Sequence, residues 1–195
     1  MEGEDRGAAM AARVASTAQS LGIPADGIGQ LSRAHALAME PRRAALTGDR
    51  HPLFLHPGRT VLILLVDAGC RDPEVLSASA VMDSEDAHLR VPLERVRSTL
   101  GDSVGALVAA VPMPNAESLA YDLVTADEPI RLIALAERLD HLRHAHLRDA
   151  DAPWRAAAHS LAQAVYLPMA HRTNGRLAQR YEHWCRAFGR RIERG

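Results

Sequence analysis

The sequence predicts an all-α domain. Apolar residues recur at the three- and four-residue spacings of a helix along most of the chain, whereas the alternating patterns that indicate strands are nearly absent. The 195 residues are enough for one domain with a sizeable core. With 47% hydrophobic and 24% charged residues, the composition is typical of a folded globular domain and not of a disordered chain.

Helix start and stop signals divide the chain into segments. Glycine followed by proline ends the first helix at Gly22-Ile23-Pro24, and Asp72 followed by Pro73 caps a later one. A very apolar segment from His56 to Gly69 is the candidate core helix. We expect an N-terminal extension with one helix, residues 1–29, and a main domain, residues 30–195. The predicted helices cover residues 7–21, 31–39, 56–69, 73–82, 91–96, 104–108, 115–126, 128–148, 154–170 and 174–190.

Composition also restricts the partners. The formal net charge is −1 with both signs interspersed, which gives no electrostatic footprint for duplex nucleic acid or an anionic membrane. The longest apolar run, Thr60 to Val66, is far shorter than a membrane span, and the acidic start is unlike a signal peptide. Cys70 and Cys185 are far apart, so no disulfide framework or zinc knuckle is encoded. We therefore expect a cytoplasmic protein with no membrane or duplex partner.

Five segments occur in the order found in a known family. They are Phe54-Leu55-His56-Pro57, Ala80-Val81-Met82-Asp83-Ser84-Glu85-Asp86, Gly101-Asp102-Ser103-Val104-Gly105-Ala106-Leu107-Val108, Leu135-Ala136-Glu137-Arg138-Leu139-Asp140-His141-Leu142-Arg143 and Tyr166-Leu167-Pro168-Met169-Ala170-His171-Arg172. Together they resemble the HD hydrolase domain of RelA/SpoT-type alarmone hydrolases, in the small stand-alone form of the metazoan SpoT homologue. The resemblance implies an HD-domain helical bundle over roughly residues 30–188.

The resemblance also implies a divalent ion, usually manganese. The family holds it with the histidine of a His-Pro step, a His-Asp doublet and a later aspartate, and such donors suit an ion that lowers the pKa of a bound water. Carried onto this chain, the metal ligands are His56, Asp83 and Glu137, with Met82 in the place of the second histidine. A thioether does not replace imidazole on manganese, so the resemblance implies an eroded centre.

Two further groups follow from the resemblance. Glu85 and Asp86 correspond to the catalytic acidic pair, yet they lie one residue closer to the doublet, which on a helix rotates them by about 100°. His141 falls where the family has a nucleotide-binding asparagine. A separate signal, independent of the resemblance, makes Arg172 and Asn174 at the opening of the last helix the other candidate substrate contacts, since free N–H groups favour phosphate there. An ordinary N-cap role for Asn174 is the default interpretation.

Several of these assignments also have an ordinary structural interpretation. His56 before proline could cap the core helix, and the acidic cluster at 83–86 could be a solvated helix end. Glu137, Asp140, His141 and His144 lie on one face of one helix. That spacing allows a replacement metal site in which His141 supplies the missing imidazole, although a solvated helix face is the commoner meaning of such a pattern.

The sequence leaves two main functional hypotheses. The first is a weak or inactive nucleotide-binding or regulatory module that keeps the bundle but has an eroded metal site. The alternative is an active metal-dependent phosphohydrolase that removes pyrophosphate from (p)ppGpp or a related nucleotide. A helical interaction protein without a small-molecule site is the third. Expected partners are a guanosine nucleotide or related phosphorylated molecule, and a second copy or a regulatory protein.

Overall fold

A computed structural model of the chain describes residues 5–114, 117–144 and 152–192. Over these ranges every regular element is helical and no strand occurs, which confirms the all-α class. The helices are α1 (Arg6–Ser20), α2 (Ala25–Ala45), α3 (His56–Leu62), α4 (Pro73–Val81), α5 (Leu93–Leu100), α6 (Asp102–Ala110), α7 (Leu119–Thr125), α8 (Glu128–His144), α9 (Ala152–Leu161), α10 (Leu167–Thr173) and α11 (Gly175–Ile192). Of the described helices, none combines the length and apolarity that a bilayer span requires.

The apolar segment that begins at His56 forms the central helix, as the sequence predicts. α3 continues without a break into a π-helical segment, Ile63–Ala68, and ends where Gly69 adopts a left-handed φ of 73°. Gly58 lies on the side of α3 that meets α1, and the Met10 side chain occupies the space that a Cβ atom would need. The absence of a side chain at Gly58 thus lets α1 pack closely against α3.

One apolar core runs through the whole described bundle. It extends from Val14 and Ala18 on α1 to Trp184 and Phe188 on α11, with α4 packed against α2, α3, α6 and α8. The expected boundary between residues 29 and 30 falls inside α2, so the extension and the main domain share a continuous helix. The N-terminal helix is therefore part of the bundle that positions the site.

Several helix ends differ from the expectation. α2 continues past Pro41 to Ala45, because the buried side chain of Arg42 is bonded to its surroundings and fixes the last turn. The helical run that includes α9 and α10 extends to Thr173, with a π-helical segment, Ala162–Tyr166, between them. The predicted start of the 115–126 helix and the predicted end of the 128–148 helix lie outside the described residues.

Candidate metal centre

His56 lies at the start of α3 and is completely buried. Its Nδ1 atom is 2.8 Å from Oδ2 of Asp140, whose two oxygens also accept hydrogen bonds of 2.7 and 2.8 Å from Arg59. An ionised carboxylate can only accept, so the proton of neutral His56 is on Nδ1 and the lone pair is on Nε2. Nε2 is buried and has no hydrogen-bond partner within the described ranges. The imidazole is thus oriented as a metal ligand would be.

Two residues of α8 complete a group of three donors. His141 Nε2 is 2.9 Å from Oε1 of Glu137, one turn earlier on the helix, and the His141 ring lies 4.3 Å from that of His56. One donor atom from each of these three residues lies within 4.8 Å of the others. The side chain of Ser84 and its backbone N–H both donate to Glu137 at 2.8 Å. We call His56, Glu137 and His141 the central cluster.

Asp83, expected to be a ligand, lies beside the central cluster. Its Oδ1 atom is 3.7 Å from His141 Nε2, but Oδ2 accepts a 2.7 Å hydrogen bond from the fully buried Arg42. The backbone N–H of Asp86 donates to Oδ1 at 3.0 Å. An arginine therefore neutralises the charge of Asp83 and occupies Oδ2, which leaves only Oδ1, already an acceptor of the Asp86 N–H, to face the cluster.

Met82 contributes nothing to the cluster. Its side chain is 1% exposed and belongs to the apolar core. A second imidazole, that of His141 on α8, lies beside His56 instead, in the position that the sequence offered as a minor alternative. The commoner interpretation of the α8 pattern, a solvated face, is wrong for Glu137, Asp140 and His141, which are at most 2% exposed.

The segment that carries Glu85 and Asp86 is not helical. α4 ends at Val81, so the predicted rotation of this pair about a helix axis does not apply, and a solvated helix end is wrong for the fully buried Asp83. Glu85 forms an ion pair with Arg138, and its Oε2 atom is 3.6 Å from His141 Nδ1. The carboxylate of Asp86 accepts the N–H of His88 at 2.9 Å and stabilises a turn. Glu85 therefore adjoins the cluster, while Asp86 has a local structural contact.

The two histidines of the central cluster, His56 and His141, have pKa values shifted in opposite directions. Burial lowers the pKa of His56, and the charge of His141 lowers it further, so His56 is neutral. Burial also disfavours charge on His141, but Glu137 and Asp83 outweigh it and raise the pKa of His141 to about 9. His141 thus holds a proton at neutral pH, and a metal at this cluster would displace it.

The buried carboxyl groups remain ionised. Burial opposes the charge of Glu137, yet the neighbouring His141 lowers its pKa below the usual range. The pKa of Asp140 is likewise lowered, against the effect of burial, by His56 and Arg59. The charges in this region are matched, since Asp83, Glu137 and Asp140 face the cations Arg42, His141 and Arg59.

Arg172 and Asn174 do not lie at the cluster. Asn174 Oδ1 accepts the N–H groups of Arg176 and Leu177 at 3.0 and 3.1 Å, which confirms the default N-cap interpretation, and Nδ2 donates to the Ala68 carbonyl. Ala68 and His56 are at opposite ends of the central helix, about 18 Å apart at a helical rise of about 1.5 Å per residue. Arg172 is exposed on α10.

Sequence reasoning missed the groups that hold the donors in place. Arg42 and Arg59 were not assigned roles, although Arg59 follows His56 by three residues, one helical turn. Asp140 was noticed only as part of a helix face. A weak signal existed for Arg59 and Asp140 in their spacing from the predicted ligands, whereas Arg42 is distant from Asp83 in sequence and gave none.

Comparison of the sequence with protein-family models and with curated proteins gives no match in either case. The assignment of this site therefore depends on its geometry and on the sequence motifs.

Proposed function

We propose that this chain is a metal-binding helical protein of the RelA/SpoT-like HD type, with the ion held by His56, Glu137 and His141. We further propose that hydrolysis is weak or absent and that the protein is a nucleotide-binding or regulatory module. The observation that carries the proposal is the buried Nε2 atom of His56, which has no partner in the described part of the chain and adjoins a carboxylate and a second imidazole.

The chemistry of these donors fits a divalent transition metal. Two imidazoles and one carboxylate form a three-residue set of the kind that zinc enzymes use, and imidazole-rich sets also suit iron. Manganese, which the resemblance implies, prefers a greater share of oxygen ligands. Asp140 holds His56 through the ring nitrogen opposite the donor, the usual arrangement behind a ligating histidine.

A bound ion would polarise a phosphate oxygen and lower the pKa of a coordinated water. The residues around it are poorly arranged to use that chemistry. Arg42 neutralises Asp83, and Arg138 pairs with Glu85, so the carboxylates expected to act as ligand and base are already engaged. His56, Glu137 and His141 are each at most 2% exposed, which restricts the approach of a substrate. These features support weak hydrolysis.

One observation favours the alternative, an active phosphohydrolase acting on (p)ppGpp or a related nucleotide. Glu85 is 14% exposed and lies 3.6 Å from His141, so a carboxylate with access to solvent adjoins the cluster. Opening of the Glu85–Arg138 pair would release it as a general base. This candidate requires turnover that depends on Glu85.

Metal binding is tested by elemental analysis of the purified protein and by thermal unfolding with added Zn²⁺ or Mn²⁺. A ligand that binds only the folded state at 100 times its Kd adds about 2.7 kcal/mol to the free energy of unfolding. We expect stoichiometric uptake and this shift in the native chain, and loss of both in His141→Gln. His171→Gln, at an exposed histidine on α10, is the matched control. A metal-free native chain that neither ion stabilises contradicts the proposal.

Hydrolysis is tested separately on the metal-loaded protein. We expect little release of pyrophosphate from guanosine tetraphosphate, with binding of the nucleotide detected by calorimetry. Sustained turnover that is lost in Glu85→Gln would establish the alternative. Binding of metal without binding of any guanosine nucleotide would remove the nucleotide from the proposal and leave a metal protein.

A further inference from the structure

The exposed face of α11 borders a groove that no residue of the central cluster lines. This groove has a volume of 510 Å³ and lies between α11 and the π-helical end of the central helix. Its polar lining contains the acidic Asp67, and the other polar residues are basic or neutral: Arg176, Gln179, Arg180, His183 and Arg186. A neighbouring groove shares Arg180 and His183 and adds Arg143 from α8. Positive charge therefore converges here in a chain whose formal net charge is −1.

Among the described residues, Asp67 is the carboxylate of this lining, and it is already paired with arginine. Asp67 Oδ1 accepts hydrogen bonds of 3.2 and 2.8 Å from Arg180, and its Oδ2 atom is 3.7 Å from Arg143. Its side chain is 11% exposed, whereas that of Arg180 is 54% exposed. Asp67 thus lies at the base of the groove, whereas more than half of the Arg180 side chain is exposed to solvent.

We propose that this groove binds an anion that carries a diphosphate group. Arginine presents several N–H donors in a planar fork, which suits tetrahedral phosphate oxygens and gives short, charge-assisted hydrogen bonds. Arg176 and Arg180 are one turn apart on α11, and Arg186 lines the same groove six residues beyond Arg180, about 9 Å further along the helix axis. Guanidinium groups spaced in this way engage two adjacent phosphates better than one.

The size and lining of the groove favour a small anion over a nucleic acid strand. A volume of 510 Å³ is in the range of sites for single small ligands. The nearby aromatic residues Trp184 and Phe188 are 8% and 6% exposed and stack on each other, so they offer no platform for successive bases. The proposal is independent of metal binding, since no residue of the central cluster lines the groove.

Isothermal titration of the EDTA-treated full chain with inorganic pyrophosphate tests this inference. EDTA treatment prevents a metal ion from bridging the anion to the protein. We expect saturable binding that is weakened roughly tenfold in Arg186→Gln, the loss of about one charge-assisted contact. Arg33→Gln, which removes the same charge from the exposed face of α2, should leave the affinity unchanged.

Asp67→Asn supplies the opposite change. Removing this carboxylate frees Arg180 and reduces repulsion of the ligand, so pyrophosphate should bind about fivefold more tightly. Guanosine diphosphate is titrated in parallel: tighter binding than pyrophosphate indicates a nucleotide as the source of the diphosphate, and equal binding indicates the free anion. Either result supports the site.

Three results would overturn the inference. The first is no heat of binding at millimolar pyrophosphate. The second is an equal loss of affinity in Arg33→Gln, which would reduce the effect to overall charge. The third is tighter binding of a single-stranded oligonucleotide than of either diphosphate, which would make the groove a nucleic-acid surface.

Discussion

His56 of the central cluster and Asp67 of the basic groove lie at opposite ends of the central helix. The two regions differ in how their charges are compensated. Around the cluster, Arg42 and Asp83 are both fully buried, and each charge has a partner of opposite sign. At the groove, the arginines of α11 are exposed and outnumber the single carboxylate Asp67. A buried charge must be matched because desolvation is costly, whereas water and counterions compensate an exposed one. The groove can therefore keep unmatched positive charge for a ligand.

The largest effect should come from breaking the buried pair. Arg42→Met leaves Asp83 buried without its cation and removes hydrogen bonds to the Ala38, Leu53 and Leu89 carbonyls. We expect a loss of about 3–5 kcal/mol in the free energy of unfolding, measured by urea denaturation. The matched control Arg95→Met breaks an ion pair with Glu40 whose side chains are both 57% exposed, and should cost less than about 1 kcal/mol. Similar losses in both variants would contradict the comparison.

Acid should destabilise the interior through His35. This side chain is 6% exposed, and burial, aided by Arg42, lowers its pKa to about 4. Between pH 6.5 and 4 the unfolded chain binds a proton that the folded chain excludes, so stability is full above pH 6.5 and falls by about 3 kcal/mol towards pH 4.

His35→Leu should flatten this part of the stability curve, and the difference between the two proteins isolates His35 from the other histidines. Urea denaturation at pH 7.5, 6, 5 and 4 measures it. An unchanged slope in the variant would show that His35 is not a buried neutral group.

Met82→His tests whether the eroded position matters. If the missing imidazole were the only defect of the centre, restoring histidine would increase metal affinity. The structure predicts no such increase, because Met82 packs in the apolar core, where burial of a polar ring is costly. We expect a loss of about 1–3 kcal/mol in stability and no tighter Zn²⁺ binding by calorimetry. Tighter binding would mean that position 82 can reach the ion.

The smallest effect should occur at the groove. Arg180→Gln removes an ion pair in which the arginine side chain is 54% exposed, and should change the free energy of unfolding by less than about 1 kcal/mol. Thermal unfolding in low and high salt provides the measurement. A loss as large as that of Arg42→Met would show that the groove is a structural element, and its arginines would then be unsuited to ligand binding.

Much of the fold was predictable because its signals are local. The stop at Gly22, the Asp72 cap and the apolar helix from His56 to Gly69 depend on nearby residues, and the structure has all three. The end of α2 was not predictable, since Pro41 is a helix breaker that long-range contacts of Arg42 overrule. The end of α4 at Val81, with Met82 as its C-cap, was predicted to within one residue.

The candidate site was predictable only in part. His56, Glu137 and His141 were named from motif and spacing, and the structure brings their donor atoms together. Asp83 was predicted to be a metal ligand, but in the structure its carboxylate is paired with Arg42. Arg42 is 41 residues away in sequence, so this pair could not be predicted from local signals. The basic groove gave no sequence signal, since the arginines of α11 resemble any solvated helix face.

By itself, the sequence determined that the chain is all-α, where most helices begin, and which residue types could hold a metal. Periodicity, caps and donor chemistry are properties of short segments, so they can be read without coordinates. Only the tertiary structure decided that the donor atoms of His141 lie beside those of His56 and Glu137 while Met82 packs in the core, that Asp140 orients His56, and that arginines pair with the remaining carboxylates. Those outcomes depend on packing between helices distant in sequence. An unpaired charge buried between them would carry a large desolvation cost, so the buried charges are paired.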